Sequence, residues 1–196
     1  MMILLLGLPK SGTSSFHKMF QILELNSCHQ INKNKMSFAE IILNNKKKKI
    51  ALLTGCHNIE CICQLDMCGP RISYWPQISD FEQLYNENPN TIFILNKRDP
   101  EKILLSFKKW NSLHKRLYKY NPELIKNQTD IGFINFVKEH YNKIETFFSL
   151  RPNAKFMFYD IENDDIDKLK KYIDIKNMKS FPHENKNKGQ VAMNFK

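Results

Sequence analysis

The sequence lacks the features that would place the chain in a membrane or in the secretory pathway. No stretch approaches the roughly 20 consecutive apolar residues that a membrane-spanning helix requires. The apolar start, residues 1–6, is too short for a signal peptide, has no basic flank and runs straight into a loop. These absences predict a soluble, cytoplasmic protein with no membrane span.

The cysteines do not follow the pattern of a disulfide-stapled protein. The chain has five of them, and an odd number argues against a disulfide framework. Four lie close to His57 in the sequence: Cys56, Cys61, Cys63 and Cys68. Their spacing lacks the paired C-x2-C arrangement that structural zinc sites favour, so the sequence predicts reduced thiols and no metal site.

Acidic residues are outnumbered by basic ones. The 196 residues include 30 Lys and Arg against 20 Asp and Glu, a net charge of +10 with His neutral. This balance favours anionic ligands such as nucleotides and sulfated or phosphorylated compounds. The lysine clusters at 46–49 and 168–171 are typical of solvated turns and helix faces, and no basic stripe is interleaved with aromatic residues. A specific nucleic-acid partner is therefore not predicted.

Short apolar runs alternate with helical patterns along the chain. The predicted strands cover residues 2–6, 50–53, 91–95 and 155–159, and the predicted helices cover residues 13–25, 37–43, 78–85, 100–110, 130–148 and 165–172. Strands separated by helices predict an α/β three-layer sandwich with a central parallel sheet. The chain length predicts a single domain over residues 1–196.

One loop at the end of a predicted strand has the residues of an anion site. The stretch LGLPKSGTSSF, residues 6–16, follows the first strand and opens into the first helix. A helix start offers unpaired backbone N–H groups and a positive dipole end to an anion, while a lysine adds charge and hydroxyl groups add donors. The residues predicted to bind phosphate are Lys10, Ser11, Gly12, Thr13, Ser14 and Ser15.

The position of the lysine in this loop separates two chemistries. The ATP- and GTP-binding loop is G-x-x-x-x-G-K-[ST], with the lysine after the last glycine. Here Lys10 and Ser11 precede Gly12. That order resembles the 5′-phosphosulfate loop of sulfotransferases, PKSGT followed by a small hydroxyl residue or tryptophan. A P-loop-type kinase for a small molecule or nucleoside is the alternative, which fits the charge but not the lysine order.

A second motif, FILNKRDPEKILLSFKKW, covers residues 93–110. A strand ends, Arg98 follows, Pro100 begins a helix at its first turn, and Ser106 lies on that helix. This segment resembles the 3′-phosphate-binding element of sulfotransferases. In that element a strand-end arginine and a helix serine hold the 3′-phosphate of 3′-phosphoadenosine 5′-phosphosulfate (PAPS). Arginine suits a phosphate because its planar fork makes two parallel hydrogen bonds.

A third likeness lies near the end of the chain. Residues 155–175 look like the family's strand that ends in a tyrosine–acid pair, and FPHENK, residues 181–186, is similar to the FPHxNK ending of a sulfotransferase-like branch whose front motif reads GLPRTGTTS. The tail departs from the cytosolic enzymes, which close the 3′-phosphate with RKG. Lys186, Lys188 and Gly189 could do a similar job, and a solvated tail is the alternative. Together the motifs imply a P-loop NTPase-like sulfotransferase fold.

The resemblance implies transfer of a sulfuryl group from PAPS to a hydroxyl or amine of a small-molecule or carbohydrate acceptor. The product nucleotide is 3′-phosphoadenosine 5′-phosphate (PAP), and no metal is needed. Lys10 would neutralise charge on the leaving phosphate, while Arg98 and Ser106 would fix the 3′-phosphate. A protein that binds PAPS or PAP without turnover is a further alternative.

No motif marks the general base that such a reaction needs. Asp66 is the predicted base, because related proteins carry an aspartate shortly before a proline, as in LDMCGP here. A role as a helix cap or turn residue is its alternative. His57 and Glu60 are close by in the sequence, and His114 and His183 are weaker candidates.

Overall fold

The structure is a computed structural model that describes residues 1–125 and 127–184. Five strands form a parallel sheet at its centre: β1 (Ile3–Leu5), β2 (Ser27–Cys28), β3 (Cys61–Ile62), β6 (Ile92–Lys97) and β7 (Phe156–Asp160). Their order across the sheet is β2-β3-β1-β6-β7. Ile3 of the central strand pairs with Cys61 on one side and with Ile92 on the other. The loop that follows β1 therefore leaves from the middle of the sheet.

Helices cover both faces of this sheet. One face packs against α1 (Thr13–Ile22) and a 3-10 helix (Ile166–Lys171), and the other against α2 (Phe38–Lys47), α3 (Pro76–Ser79), α4 (Phe81–Glu87), α5 (Pro100–Lys109), α6 (Leu113–Tyr120) and α7 (Asp130–Ser149). Because both faces are buried, β1 and most of β6 are unbroken apolar runs. The predicted α/β architecture with a central parallel sheet is confirmed. A single domain over residues 1–196 stays a prediction.

Side chains cap the starts of several helices. Ser37 and Glu40 form a capping box at α2, and the Asp99 carboxylate accepts the Lys102 N–H at the start of α5. The residue before α1 is Gly12, and no side chain caps that end among the described residues. The start of α1 is therefore open to another partner.

The predicted strand over residues 50–53 is wrong. This segment forms a bend and turns, with Leu52 and Leu53 buried in the core. The side-chain amide of Asn45 donates to the carbonyl groups of Leu52 and Thr54, so both carbonyl groups have hydrogen-bond partners without a neighbouring strand. A short apolar run looks the same in a buried turn as in a strand. The strand that pairs with β1 on this side of the sheet is β3 and not residues 50–53.

The remaining differences concern short elements. Neither α6 nor the antiparallel pair β4 (Met67–Cys68) and β5 (Ser73–Tyr74) was predicted, and the helix predicted at 165–172 is a 3-10 helix. The helix predicted at 78–85 divides into α3 and α4. The other predicted strands and helices are confirmed, with ends that shift by a few residues.

The five cysteines are all free and buried. Cys61 and Cys63 lie in the core on the α1 side of the sheet. Cys28, Cys56 and Cys68 lie in the core on the opposite side. Cysteines that lie close together in the sequence are therefore on opposite sides of the sheet.

Helix α7 has 20 residues and packs one side against the core. Phe133 and Tyr141 on that side are buried, whereas Lys138 and Glu139 are exposed. Across the described ranges, no helix combines the length and the apolar character that crossing a membrane requires.

Candidate active site

A cleft of about 1310 Å³ opens where the parallel strands end. Its walls come from the segments that follow the five strands of the sheet and from residues 179–184. The two segments predicted to hold anions, residues 7–14 and 96–100, both contribute to it. Ligands of open α/β sheets bind outside these carboxyl ends of the strands.

The start of α1 forms one wall of the cleft. Gly12 has φ 87°, in the left-handed region that glycine adopts without strain, and an added Cβ would lie 2.9 Å from Cγ2 of Ile161. Thr13, Ser14 and Ser15 form the first turn of α1 and line the cleft, and that turn has no acidic residue. An uncapped helix start with free N–H groups and hydroxyls is suited to an anion.

A buried asparagine holds the loop between β1 and α1. Asn96 on β6 accepts the Gly7 N–H at 2.9 Å and donates to the Ser11 carbonyl at 3.1 Å and to the Ser11 hydroxyl at 2.6 Å. A side chain at Gly7 would overlap the backbone of Asn96. Ser11, a predicted phosphate ligand, is fully buried, and its hydroxyl donates to the Leu8 carbonyl at 2.5 Å. Its side chain thus stabilises the loop through hydrogen bonds with Leu8 and Asn96.

Lys10 lies against an exposed tryptophan. Its ammonium is 3.8 Å from the centroid of the Trp110 ring, and the Arg116 guanidinium is 5.5 Å from the same centroid. Trp110 is 52% exposed. Burial, and then the charge of Arg116, lower the pKa of Lys10 from 10.5 to about 8. Lys10 is therefore mainly charged at neutral pH, and a bound anion would raise its pKa.

Arg98 joins the two predicted anion sites. Its Nη1 donates to the Lys10 carbonyl at 3.1 Å and to Ser106 Oγ at 3.2 Å, and its Nε donates to Glu162 Oε1 at 3.3 Å. The Tyr141 hydroxyl accepts the Arg98 N–H and donates to the Arg98 carbonyl, both at 3.2 Å. The fold thus brings Arg98 and Ser106 together and turns the guanidinium toward the first loop.

On the other side of β1, the turns after β2 and β3 add polar side chains. His29 Nε2 lies 3.1 Å from Thr13 Oγ1 and 3.4 Å from Ser14 Oγ, and Thr13 donates to Gln64 Oε1 at 3.4 Å. Burial, followed by nearby positive charge, lowers the pKa of His29 from 6.5 to about 4. Its imidazole is neutral at physiological pH.

Asp66 lies behind Gln64. The residue is only 2% exposed, and its carboxylate accepts from Gln77 Nε2 at 2.8 Å and from Gln64 Nε2 at 3.2 Å. Burial raises the pKa of Asp66 from 3.8 to about 7, against the opposing effect of these two hydrogen bonds. The structure does not bring the predicted base to the cleft wall, because its carboxylate contacts the site through Gln64.

Of the four other residues considered as the general base, one lines the cleft and three do not. His183 lines the cleft, while His57, Glu60 and His114 do not. Lys186, Lys188 and Gly189, for which closing residues and a solvated tail are the two alternatives, lie outside the described residues.

Sequence reasoning missed His29, Asn96, Tyr141 and Glu162. No apolar run marks the position of His29, since β2 has two residues. Tyr141 reaches Arg98 from a helix 43 residues further along the chain, a contact without local signal. Asn96 had a usable signal, since it is the first polar residue after the apolar run that forms β6.

A comparison with protein families connects this geometry to a known group. The family described as a sulfotransferase domain matches residues 2–130, more than half of the chain. The matched part includes the loop after β1 together with Arg98 and Ser106. A comparison with curated proteins found no match. The match supports sulfotransferase activity in general, and the chain belongs to the sulfotransferase domain family.

Proposed function

We propose that the chain transfers a sulfuryl group from PAPS to a hydroxyl or amine acceptor. The single observation that carries the proposal is the hydrogen bond from Arg98 Nη1 to the Lys10 carbonyl at 3.1 Å. It makes the strand-end arginine and the loop lysine parts of one cleft. PAPS carries anionic groups at both ends of a single ribose and so needs two such anion sites side by side. A small-molecule or carbohydrate acceptor and a cytoplasmic location stay predictions.

The side chains present suit this nucleotide. The first turn of α1 offers N–H groups and the Ser14 hydroxyl to the 5′-phosphate. Ser106 Oγ accepts from Arg98, so its own proton can be donated to a 3′-phosphate. Arg98 Nη2 has no partner among the described residues and completes that pocket. The cleft, at about 1310 Å³, is larger than the roughly 300–1,000 Å³ of typical ligand pockets.

The proposed mechanism divides the work among a few residues. Bound PAPS supplies the sulfuryl group, which the acceptor attacks in line. Lys10 neutralises the negative charge that grows on the leaving phosphate. Thr13 and Ser14 hold the 5′-phosphate, and Arg98 and Ser106 fix the opposite end of the nucleotide, which orients the sulfur for attack.

His29 is the side chain that we propose to take the proton from the acceptor. A general base must lie within hydrogen-bond reach of its proton, directly or through one water, and His29 lines the cleft. When its Nε2 donates to Thr13 Oγ1, Nδ1 keeps a lone pair for the proton. The negative charge of the nucleotide raises the pKa of His29 and strengthens it as a base. Asp66 stays a second proposal, acting through Gln64.

Loss of the Arg98 guanidinium is the direct test of the proposed nucleotide site. Arg98→Ala is expected to weaken PAP binding about 10- to 100-fold, because a charged hydrogen-bonding partner of the 3′-phosphate is removed. Calorimetric titration measures the affinity. Arg71→Ala, which changes an exposed arginine outside the cleft, should leave the affinity unchanged. Equal affinity of the wild type for ATP and PAP would contradict the assignment.

The pH dependence of turnover distinguishes the two proposed bases. A His29 base stays neutral down to about pH 4 in the free protein, so kcat/KM for PAPS, which reports the free protein, should be flat between pH 5 and 7. An Asp66 base would be protonated below about pH 7, and activity would fall as the pH drops through that value. We expect the flat profile, with His29→Ala lowering kcat about 10²- to 10⁴-fold. An acid limb near pH 7 that Asp66→Asn abolishes would assign the base to Asp66.

A further inference from the structure

A carboxylate of the chain itself lies where the 3′-phosphate is proposed to bind. Glu162 follows β7 and lines the cleft. Its Oε1 accepts from Arg98 Nε at 3.3 Å and lies 3.1 Å from Lys102 Nζ. The Glu162 N–H donates to the Asp160 carboxylate at 2.9 Å, which fixes the turn that carries it. The Glu162 carboxylate thus already pairs with two cations, Arg98 and Lys102, beside the position proposed for the 3′-phosphate.

The hydrogen bonds that Arg98 already makes determine which group a 3′-phosphate must displace from its guanidinium. A guanidinium has five N–H donors, and it binds a phosphate best through two parallel ones. Nη1 is taken by the Lys10 carbonyl and by Ser106 Oγ. The edge formed by Nε and Nη2 is left for a parallel pair, and Glu162 occupies Nε. A 3′-phosphate therefore reaches this edge only when the Glu162 carboxylate leaves it.

We propose that Glu162 is a positioning residue that holds the place of the 3′-phosphate. In the free protein it keeps Arg98 and Lys102 oriented, and on binding, the 3′-phosphate displaces it. A phosphate dianion exceeds a carboxylate in charge and in hydrogen-bond acceptors, so the exchange favours binding while part of the affinity is lost to the displaced pair. The carboxylate returns as PAP leaves. This role rests on the proposed function.

The test compares two nucleotides that differ in the 3′-phosphate alone. Glu162→Gln is expected to tighten PAP binding about two- to fivefold, the size of a partly exposed ion pair, and to leave binding of adenosine 5′-monophosphate unchanged. Titrations at about 0.15 M salt suppress long-range charge effects. Glu145→Gln is the matched control, because Glu145 pairs with Lys97 at 3.1 Å outside the cleft. It should change neither affinity.

Three results would overturn the inference, and they differ from one another. Weaker PAP binding by Glu162→Gln would show that the carboxylate supports the bound state. An equal gain for both nucleotides would reveal a general charge effect. A wild type that binds neither nucleotide would contradict the proposed function itself. Addition of Lys102→Gln to Glu162→Gln provides a second readout, since part of the gain should disappear when the released ammonium is removed.

Discussion

Replacement of Lys10 by methionine is expected to lower kcat about 10²- to 10³-fold, while PAP affinity changes far less. The reason is that charge on the leaving phosphate is greatest in the transition state, so an ammonium beside it acts mainly on the rate. Methionine keeps the length of the side chain and removes its charge. PAP release from PAPS, measured with a panel of hydroxyl and amine acceptors, gives the rate.

Lys18→Met is the control for this experiment, because Lys18 is exposed on α1 and does not line the cleft. A loss of less than about tenfold at Lys10 would contradict its assigned role. The pH profile gives a second measurement on the same residue. Since the pKa of Lys10 is lowered to about 8, kcat/KM for PAPS should fall as the pH rises through that value. Lys10→Arg should remove this alkaline limb, because arginine keeps its charge.

Asn96→Ala is expected to lower the free energy of unfolding by about 3–5 kcal/mol. The fully buried side chain bonds the Gly7 N–H and the Ser11 carbonyl, and its loss leaves both groups without partners next to a cavity. Urea denaturation measures the change. Asn88→Ala removes one hydrogen bond, to Leu84, at a helix end and should cost about 0.5–1.5 kcal/mol. Equal losses in the two variants would show that Asn96 has no special role in holding the loop.

The general fold could be predicted from the sequence because the longer strands of the sheet are mostly apolar. Residues 91–95 and 155–159 are apolar runs beside clear helix signals, and both became strands of the sheet. The strands β2 and β3 have two residues each, too few to produce a periodic pattern. The apolar run at 50–53 had the composition of a strand, but Asn45 satisfies its carbonyl groups as a buried turn.

The lining of the cleft was predictable where one short segment holds several of the lining residues. Lys10, Thr13 and Ser14 lie in one segment, and Arg98 and Ser106 lie eight residues apart in another, so the resemblance of these two segments to sulfotransferase motifs pointed to them. Other contacts of Arg98 join residues that are far apart in the sequence. Tyr141 and Glu162 reach Arg98 over 43 and 64 residues, and only the folded arrangement brings them there.

The central position of β1 divides the side chains of the cleft between two sides of the sheet. Arg98 and Glu162 come from strands on one side of β1, and His29 and Gln64 come from strands on the other. On the proposed function, the first pair handles the nucleotide and the second meets the acceptor. Descendants of this scaffold can change the acceptor through other residues of the turns after β2 and β3, provided that His29 and Gln64 keep their contacts with Thr13.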